Sequence, residues 1–156
     1  MNVLQICSVI CSFVSLLLIL ISLGSDYWVV NGIVHAGLWN FCASSVCNPF
    51  GMDVAAGDHA TRAFMLLGMI AGAVSFFGIC ASFFKSQVGS MSLIKTSADV
   101  SIAAAICAMI AMSVFTGLSS GSRGFYGWSF GLGWASFPLF LITGVLAYLS
   151  RTLSPE

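Results

Sequence analysis

The chain has 156 residues, 59% hydrophobic and only 6% charged, with a mean hydropathy of +1.04. Soluble domains carry roughly a quarter charged residues, so this composition excludes an ordinary soluble enzyme and points to a membrane protein. Five Lys and Arg balance five Asp and Glu, which leaves no basic stripe for phosphates and no expectation of a nucleic-acid partner.

The first apolar run, residues 3–24, contains no charged residue. It lacks the basic front, short apolar stretch and small-residue cleavage site of a signal peptide. It is expected to be a retained transmembrane helix and uncleaved insertion signal, because about 20 residues cross the hydrocarbon core. Three further runs of similar length follow at 63–84, 98–118 and 129–150. The expected fold is a membrane four-helix bundle with both termini on one side. Lys85, Lys95 and Arg151 outnumber Arg62 and Arg123 across the membrane, so the positive-inside rule favours cytoplasmic termini. Residues 25–62 then form a large extracellular loop, 85–97 a cytoplasmic loop, 119–128 a small extracellular loop and 151–156 a cytoplasmic tail.

The large loop begins "YWVVNGIVHAGLWNFC". Asn31-Gly32 between residues of high strand propensity predicts a tight hairpin turn, hence a small extracellular antiparallel sheet. If 38–42 and 47 onward form a second hairpin around a four-residue connection, Cys42 and Cys47 become cross-strand neighbours within disulfide reach, about 5.5 Å between Cα atoms. Outside the cell the pair is oxidised. A zinc site would need two more ligands, and His35 and His59 supply no recognised spacing. A redox pair prefers Cys-x-x-Cys at a helix start. A structural disulfide is therefore expected, with no metal and no cofactor. Trp28 and Trp39 suit anchoring at the membrane interface. Arg62 is placed to bond strand carbonyls, to pair with Asp26, or simply to face solvent. Asp58, His59 and Thr61 are neighbours in sequence, which does not make a triad; no enzyme activity is expected.

The membrane runs carry small residues at interface spacing: Gly68 and Gly72, Ala104 and Ala108, and Ser97, Ser101 and Ala105. They fit packing within the bundle or a dimerisation face. Pro138 predicts a kink in the last helix. No ionisable residue lies deep in a run, Asp99 coming nearest, so no proton relay or charged ion path is expected. Cys7, Cys11, Cys80 and Cys107 read as small apolar packing residues, with Cys7 and Cys80 near enough to the cytoplasmic interface for palmitoylation. The small extracellular loop offers Phe125, Tyr126 and Trp128 as contact groups or as interfacial belt residues. Ser154, preceded by Arg151 and followed by Pro155, is either a phosphorylation site or part of an inert terminus.

Trp28, Gly37-Leu38-Trp39, Cys42 and Cys47 together resemble the W-GLW-C-C signature of the claudin, peripheral myelin protein and epithelial membrane protein family. The resemblance runs over the whole chain, through "SDYW", "ATRAFMLLG", "AMSVFTG" and "WSFGLGW". Within the family, the Cys-x4-Cys spacing, "ATRAF" and "RTLSP" are most similar to the lens fibre branch. "AAAICAMIAMSVFTG" and "WSFGLGW" are similar to the natural killer cell granule branch. The resemblance implies a left-handed bundle capped by the sheet, a Cys42–Cys47 bond, and docking of the sheet by Trp28, Leu38, Trp39 and Arg62. The terminal "SRTLSPE" departs from the Tyr-Val tail of claudins, so anchoring to a junction scaffold is not expected, and the loop lacks the charge of an ion filter. No N-x-S/T sequon is present.

Three functions fit: adhesion or junction organisation at the plasma membrane through self-association in cis or trans, lateral binding of a channel or receptor, and a granule or vesicle role in exocytosis. Membrane lipids are partners in all three.

Overall fold

The computed structural model describes residues 3–43, 46–49, 56–84, 87–88, 91–119 and 125–153. Four helices dominate: α1 (Val3–Gly24), α2 (Ala56–Ala81), α3 (Leu93–Ser119) and α4 (Trp128–Leu153). Each contains a stretch long and apolar enough to cross a membrane. In hydrocarbon every backbone N–H and C=O must be satisfied within the segment, which makes such stretches helical. Packing runs around the bundle through α1–α4, α4–α3 and α3–α2, with a lighter α1–α2 contact.

Helix ends depart from the apolar runs. α2 starts at Ala56 rather than 63 and stops at Ala81, where Ser82 Oγ bonds the Ile79 carbonyl and a turn follows. α3 begins at Leu93 rather than 98, and α4 covers Trp128–Leu153 rather than 129–150. Hydropathy marks the lipid-immersed part of a helix; polar turns such as "GDHATR" extend it beyond that part. The segment expected as a plain loop at 85–97 contains a short hairpin, β5 (Gln87–Val88) paired with β6 (Met91–Ser92).

At the opposite end of the bundle, β1 (Val29–Asn31), β2 (Val34–Ala36), β3 (Asn40–Ala43), β4 (Val46–Pro49) and β7 (Phe125–Tyr126) form one antiparallel sheet in the order β4-β3-β2-β1-β7. Gly32 turns the first hairpin with φ +64°, a left-handed value that glycine adopts without steric cost. The second hairpin is tighter than the expected one, with only 44–45 between its strands. β7 comes from the loop before α4 and was not expected, since two residues are too short to leave a strand pattern.

The interior is made of small and hydroxyl side chains around a few large ones. Ile19, Met65, Met112 and Phe140 are fully buried, as are Ser8, Ser12, Ser15 and Ser22 along one face of α1. Large aliphatic groups such as Leu67, Ile70, Val74 and Val145 point outward. Lipid removes the usual hydrophobic drive between helices, so close backbone approach and hydrogen bonds take over. The small-residue stripes serve this purpose internally. A Cβ on Gly68 would lie 3.1 Å from Ile19 Cδ1, and one on Gly72 would lie 2.7 Å from the Phe140 ring. Ala104, Ala105, Ala108 and Ser101 are fully buried and Ser97 nearly so. Ser101 Oγ donates to the Phe140 carbonyl at 2.8 Å, Ser75 Oγ to that of Ser97 at 2.8 Å, and Ser22 Oγ to that of Ser129 at 2.8 Å. Ser12 Oγ is the one buried side-chain polar atom without a partner among the described residues.

Candidate functional site

The sheet is seated where α1 ends. The last carbonyls of a helix have no intrahelical donor, and two indoles supply them. Trp28 Nε1 donates to the Ser22 carbonyl at 2.7 Å, and Trp39 Nε1 to that of Leu23 at 3.0 Å. Trp28 is fully buried and meets Phe115 of α3 edge-on, with centroids 4.8 Å apart. Leu38 is also buried, and its carbonyl accepts from Arg62 Nε of α2 at 2.9 Å. The Arg62 guanidinium lies 4.8 Å from the Trp39 ring centroid, so one cation bridges helix, strand carbonyl and aromatic face. Of the three roles open to Arg62 from sequence, carbonyl bonding is seen.

Gly37 sits against the chain leaving α1. A Cβ there would overlap the Ser25 carbonyl oxygen and come within 2.8 Å of Asp26 Cα. Both are backbone atoms that cannot swing aside, which gives the glycine of "GLW" its physical reason. Its N–H donates to the Asn40 carbonyl at 3.0 Å, and Asn40 Nδ2 donates to Asp26 Oδ1 at 3.2 Å. Trp28, Gly37, Leu38, Trp39 and Arg62 thus converge on one junction.

Cys42 and Cys47 stand opposite each other across β3 and β4 and are disulfide-bonded, with Cα atoms 4.0 Å apart. Cys42 is buried and Cys47 exposed. Spacing reasoning missed what lies beside them. His35 of β2 is the register partner of Cys42, so Val30, His35, Cys42 and Cys47 form a row on one face of the sheet. Asp26, from the segment before β1, brings a carboxylate oxygen to the two sulfurs, all within 4.8 Å of one another. His35 Nδ1 is 2.9 Å from the Asp26 carbonyl oxygen, and the imidazole stacks on Tyr27 at 4.0 Å. Alternation within the strands could have revealed the histidine once the register was known; nothing local could have revealed Asp26.

The remaining sites lie apart. Tyr126 and Trp128 are exposed; Tyr126 stacks on Phe130 at 3.9 Å and Trp128 on Tyr27 at 5.6 Å. Phe125 pairs its backbone with Val30, while its side chain lies outside the described residues. Cys7 is exposed and Cys80 half-buried at the end opposite the sheet, where Gln5 Nε2 donates to Ser82 Oγ at 3.0 Å. Thr61 Oγ1 bonds back to the Gly57 carbonyl within α2. Ser154 lies outside the described residues.

A four-helix membrane bundle whose end carries an antiparallel sheet, stapled by a disulfide and seated by two indoles and an arginine, defines a claudin-like tetraspan membrane protein. The chain belongs to the PMP-22/EMP/MP20/Claudin family, which it matches over residues 1–147. It is 32% identical over 140 residues to Protein NKG7 of Mus musculus, covering 82% of this chain and 79% of that protein. Protein NKG7 of Homo sapiens is 32% identical over 146 residues, covering 85% and 82%. Epithelial membrane protein 2 of Danio rerio is 27% identical over 146 residues, covering 88% and 89%.

Proposed function

We propose that this is a structural, non-enzymatic tetraspan of the plasma membrane, with cytoplasmic termini and an extracellular sheet that contributes to cell-cell adhesion or junction organisation. One observation carries the reading. The sheet is rigidly seated yet presents an uncharged, partly apolar surface: no Asp, Glu, Lys or Arg occurs between Tyr27 and Met52. Ile33, Phe41 and Val46 are 72%, 42% and 61% exposed. The register places Phe41, Ala43 and Val46 on one face of β3–β4. Such a surface suits contact with a second copy, in cis or in trans, better than it suits ion filtering. The test is clustering of liposomes carrying the purified protein, and aggregation of cells expressing it. Wild type should cluster and the Phe41→Ser, Val46→Ser double variant should not. A wild type that never clusters, but is isolated in mild detergent with a stoichiometric larger channel or receptor, would replace this reading with lateral accessory binding.

A second reading, a granule or vesicle membrane protein, draws support from the similarity to Protein NKG7. Labelling confined to intracellular vesicles would favour it over adhesion. The lens fibre likeness is supported by the cysteine spacing, "ATRAF" and "RTLSP", and the same labelling across tissues tests it. Palmitoylation at Cys7 and Cys80 and phosphorylation at Ser154 belong to this proposal and are read by intact mass of native material.

A further inference from the structure

We propose that the ends of α3 and α4 remote from the sheet bind a phosphatidylserine headgroup, Asp99 receiving its ammonium and Lys95 and Arg151 its phosphate and carboxylate. The starting point is a charge in an unexpected place. Asp99 lies within the stretch of α3 that is apolar enough to span a membrane, yet its side chain is exposed on the outer surface of the bundle. Carboxylates in spanning segments ordinarily face the bundle interior or pair with a cation. Among the described residues Asp99 does neither: its partner is the Tyr148 hydroxyl of α4, which donates to Oδ1. The second carboxylate oxygen is left to accept from a group outside the chain.

Two cations complete the set. Lys95 stands one turn before Asp99 on α3 and Arg151 one turn after Tyr148 on α4, both exposed; residues three or four apart share a helix face. Arg151 is close enough to the Tyr148 hydroxyl to act on it electrostatically. The two helices are held together beside this set. A Cβ on Gly144, one turn from Tyr148, would lie 2.7 Å from Ile102 Cγ1 and 3.2 Å from the Ala98 carbonyl oxygen. Toward the membrane centre the same faces continue as Ala103 and Ile106 on α3 and Val145 and Ile142 on α4, all exposed. Such a strip suits the acyl chains below the headgroup.

Charge complementarity selects the lipid. Two cations and one carboxylate mirror a headgroup with two anions and one ammonium, which is that of phosphatidylserine. Phosphatidylethanolamine lacks the carboxylate. Phosphatidylglycerol lacks the ammonium and would leave its phosphate facing Asp99 uncompensated, and the quaternary ammonium of phosphatidylcholine cannot donate a hydrogen bond. Lys and Arg near a helix end extend along the apolar surface to reach the headgroup level, while Tyr148 acts as a positioning residue for the carboxylate. The assigned leaflet rests on the proposed cytoplasmic termini, because phosphatidylserine belongs to the cytoplasmic leaflet; the binding chemistry does not depend on it.

The test uses the full chain in detergent micelles, titrated with lipids of identical acyl chains and read by native mass spectrometry. Wild type should bind phosphatidylserine about two- to fivefold more tightly than phosphatidylglycerol, the range expected of one exposed ion pair. Phosphatidylethanolamine and phosphatidylcholine should also bind more weakly than phosphatidylserine. Asp99→Asn, whose amide oxygen can still accept from Tyr148, should abolish the preference over phosphatidylglycerol. The Lys95→Gln, Arg151→Gln double variant should weaken phosphatidylserine binding about fivefold or more. Near-ultraviolet circular dichroism of the docked tryptophans reports that each variant is folded. The proposal is overturned if wild type binds phosphatidylglycerol as well as phosphatidylserine, if Asp99→Asn keeps the preference, or if the double variant binds phosphatidylserine like wild type. Extracellular termini, read by antibody access on intact cells, would overturn the assigned leaflet alone, whereas the micelle titration decides the ligand.

Discussion

The seat of the sheet and the interior of the bundle solve the same packing problem by different means. At the seat, a few groups each meet specific partners that fix their identity: an indole on a particular carbonyl, a guanidinium on Leu38 and Trp39, a glycine where a backbone passes. In the bundle, many small and hydroxyl residues share the work, and several merely bond their own helix, as Ser8 does to Leu4 and Ser15 to Cys11. Damage should therefore be concentrated at the seat and diluted in the bundle.

The sharpest break of that contrast is Gly37→Ala. The new methyl meets backbone of Ser25 and Asp26, so the cap must leave its seat; the expected outcome is loss of correctly folded, detergent-stable protein, read by size-exclusion profile and tryptophan circular dichroism. Arg62→Ala comes next. It leaves the buried Leu38 carbonyl unpaired and removes the contact with Trp39, at a cost of about 2–4 kcal/mol in a denaturation titration. Arg62→Lys should recover only part, because an ammonium lacks the planar fork. Gly72→Ala probes the bundle. Its neighbour is the Phe140 ring, a side chain that can shift, so about 1–3 kcal/mol is expected, while Gly131→Ala, with nothing within 4 Å, should be neutral or stabilising by up to about 1 kcal/mol. The smallest pair compares two buried serines. Ser101→Ala gives up a bond to Phe140 and should cost about 0.6 kcal/mol. Ser12→Ala removes a hydroxyl with no partner and should stabilise slightly. Equal losses for Gly37→Ala and Gly72→Ala would erase the distinction.

The same contrast explains what could be read from sequence. The four helices are plain in hydropathy, because lipid imposes one rule on every spanning residue. The seat was legible only through the family resemblance that "GLW", Trp28 and the two cysteines carry; nothing in the residues alone says which carbonyl an indole or a guanidinium will meet. Sequence left open whether Gly68, Gly72, Ala104 and Ala108 face inward or outward, since four-residue spacing serves either side of a helix; only the arrangement of neighbouring helices places them inside. The approach of Asp26 to Cys42 and Cys47 was invisible for another reason. It depends on how the chain leaves α1, where no periodicity operates.

The pairing of β7 with β1 has a consequence for biosynthesis. The edge of β1 is completed by Phe125 and Tyr126, and the Gly127 N–H bonds the Trp28 carbonyl at 3.0 Å while that of Ser129 bonds the Tyr27 carbonyl at 3.2 Å. These partners are made only as the ribosome reaches the last helix. The segment after α1, synthesised early, must wait with an open edge until α4 arrives, and such a long-range closure is slow compared with local hairpin formation. The last helix to be synthesised thereby completes the first loop to be made. A chain truncated before α4 should stay marked as unfinished and be retained by the cell's folding machinery.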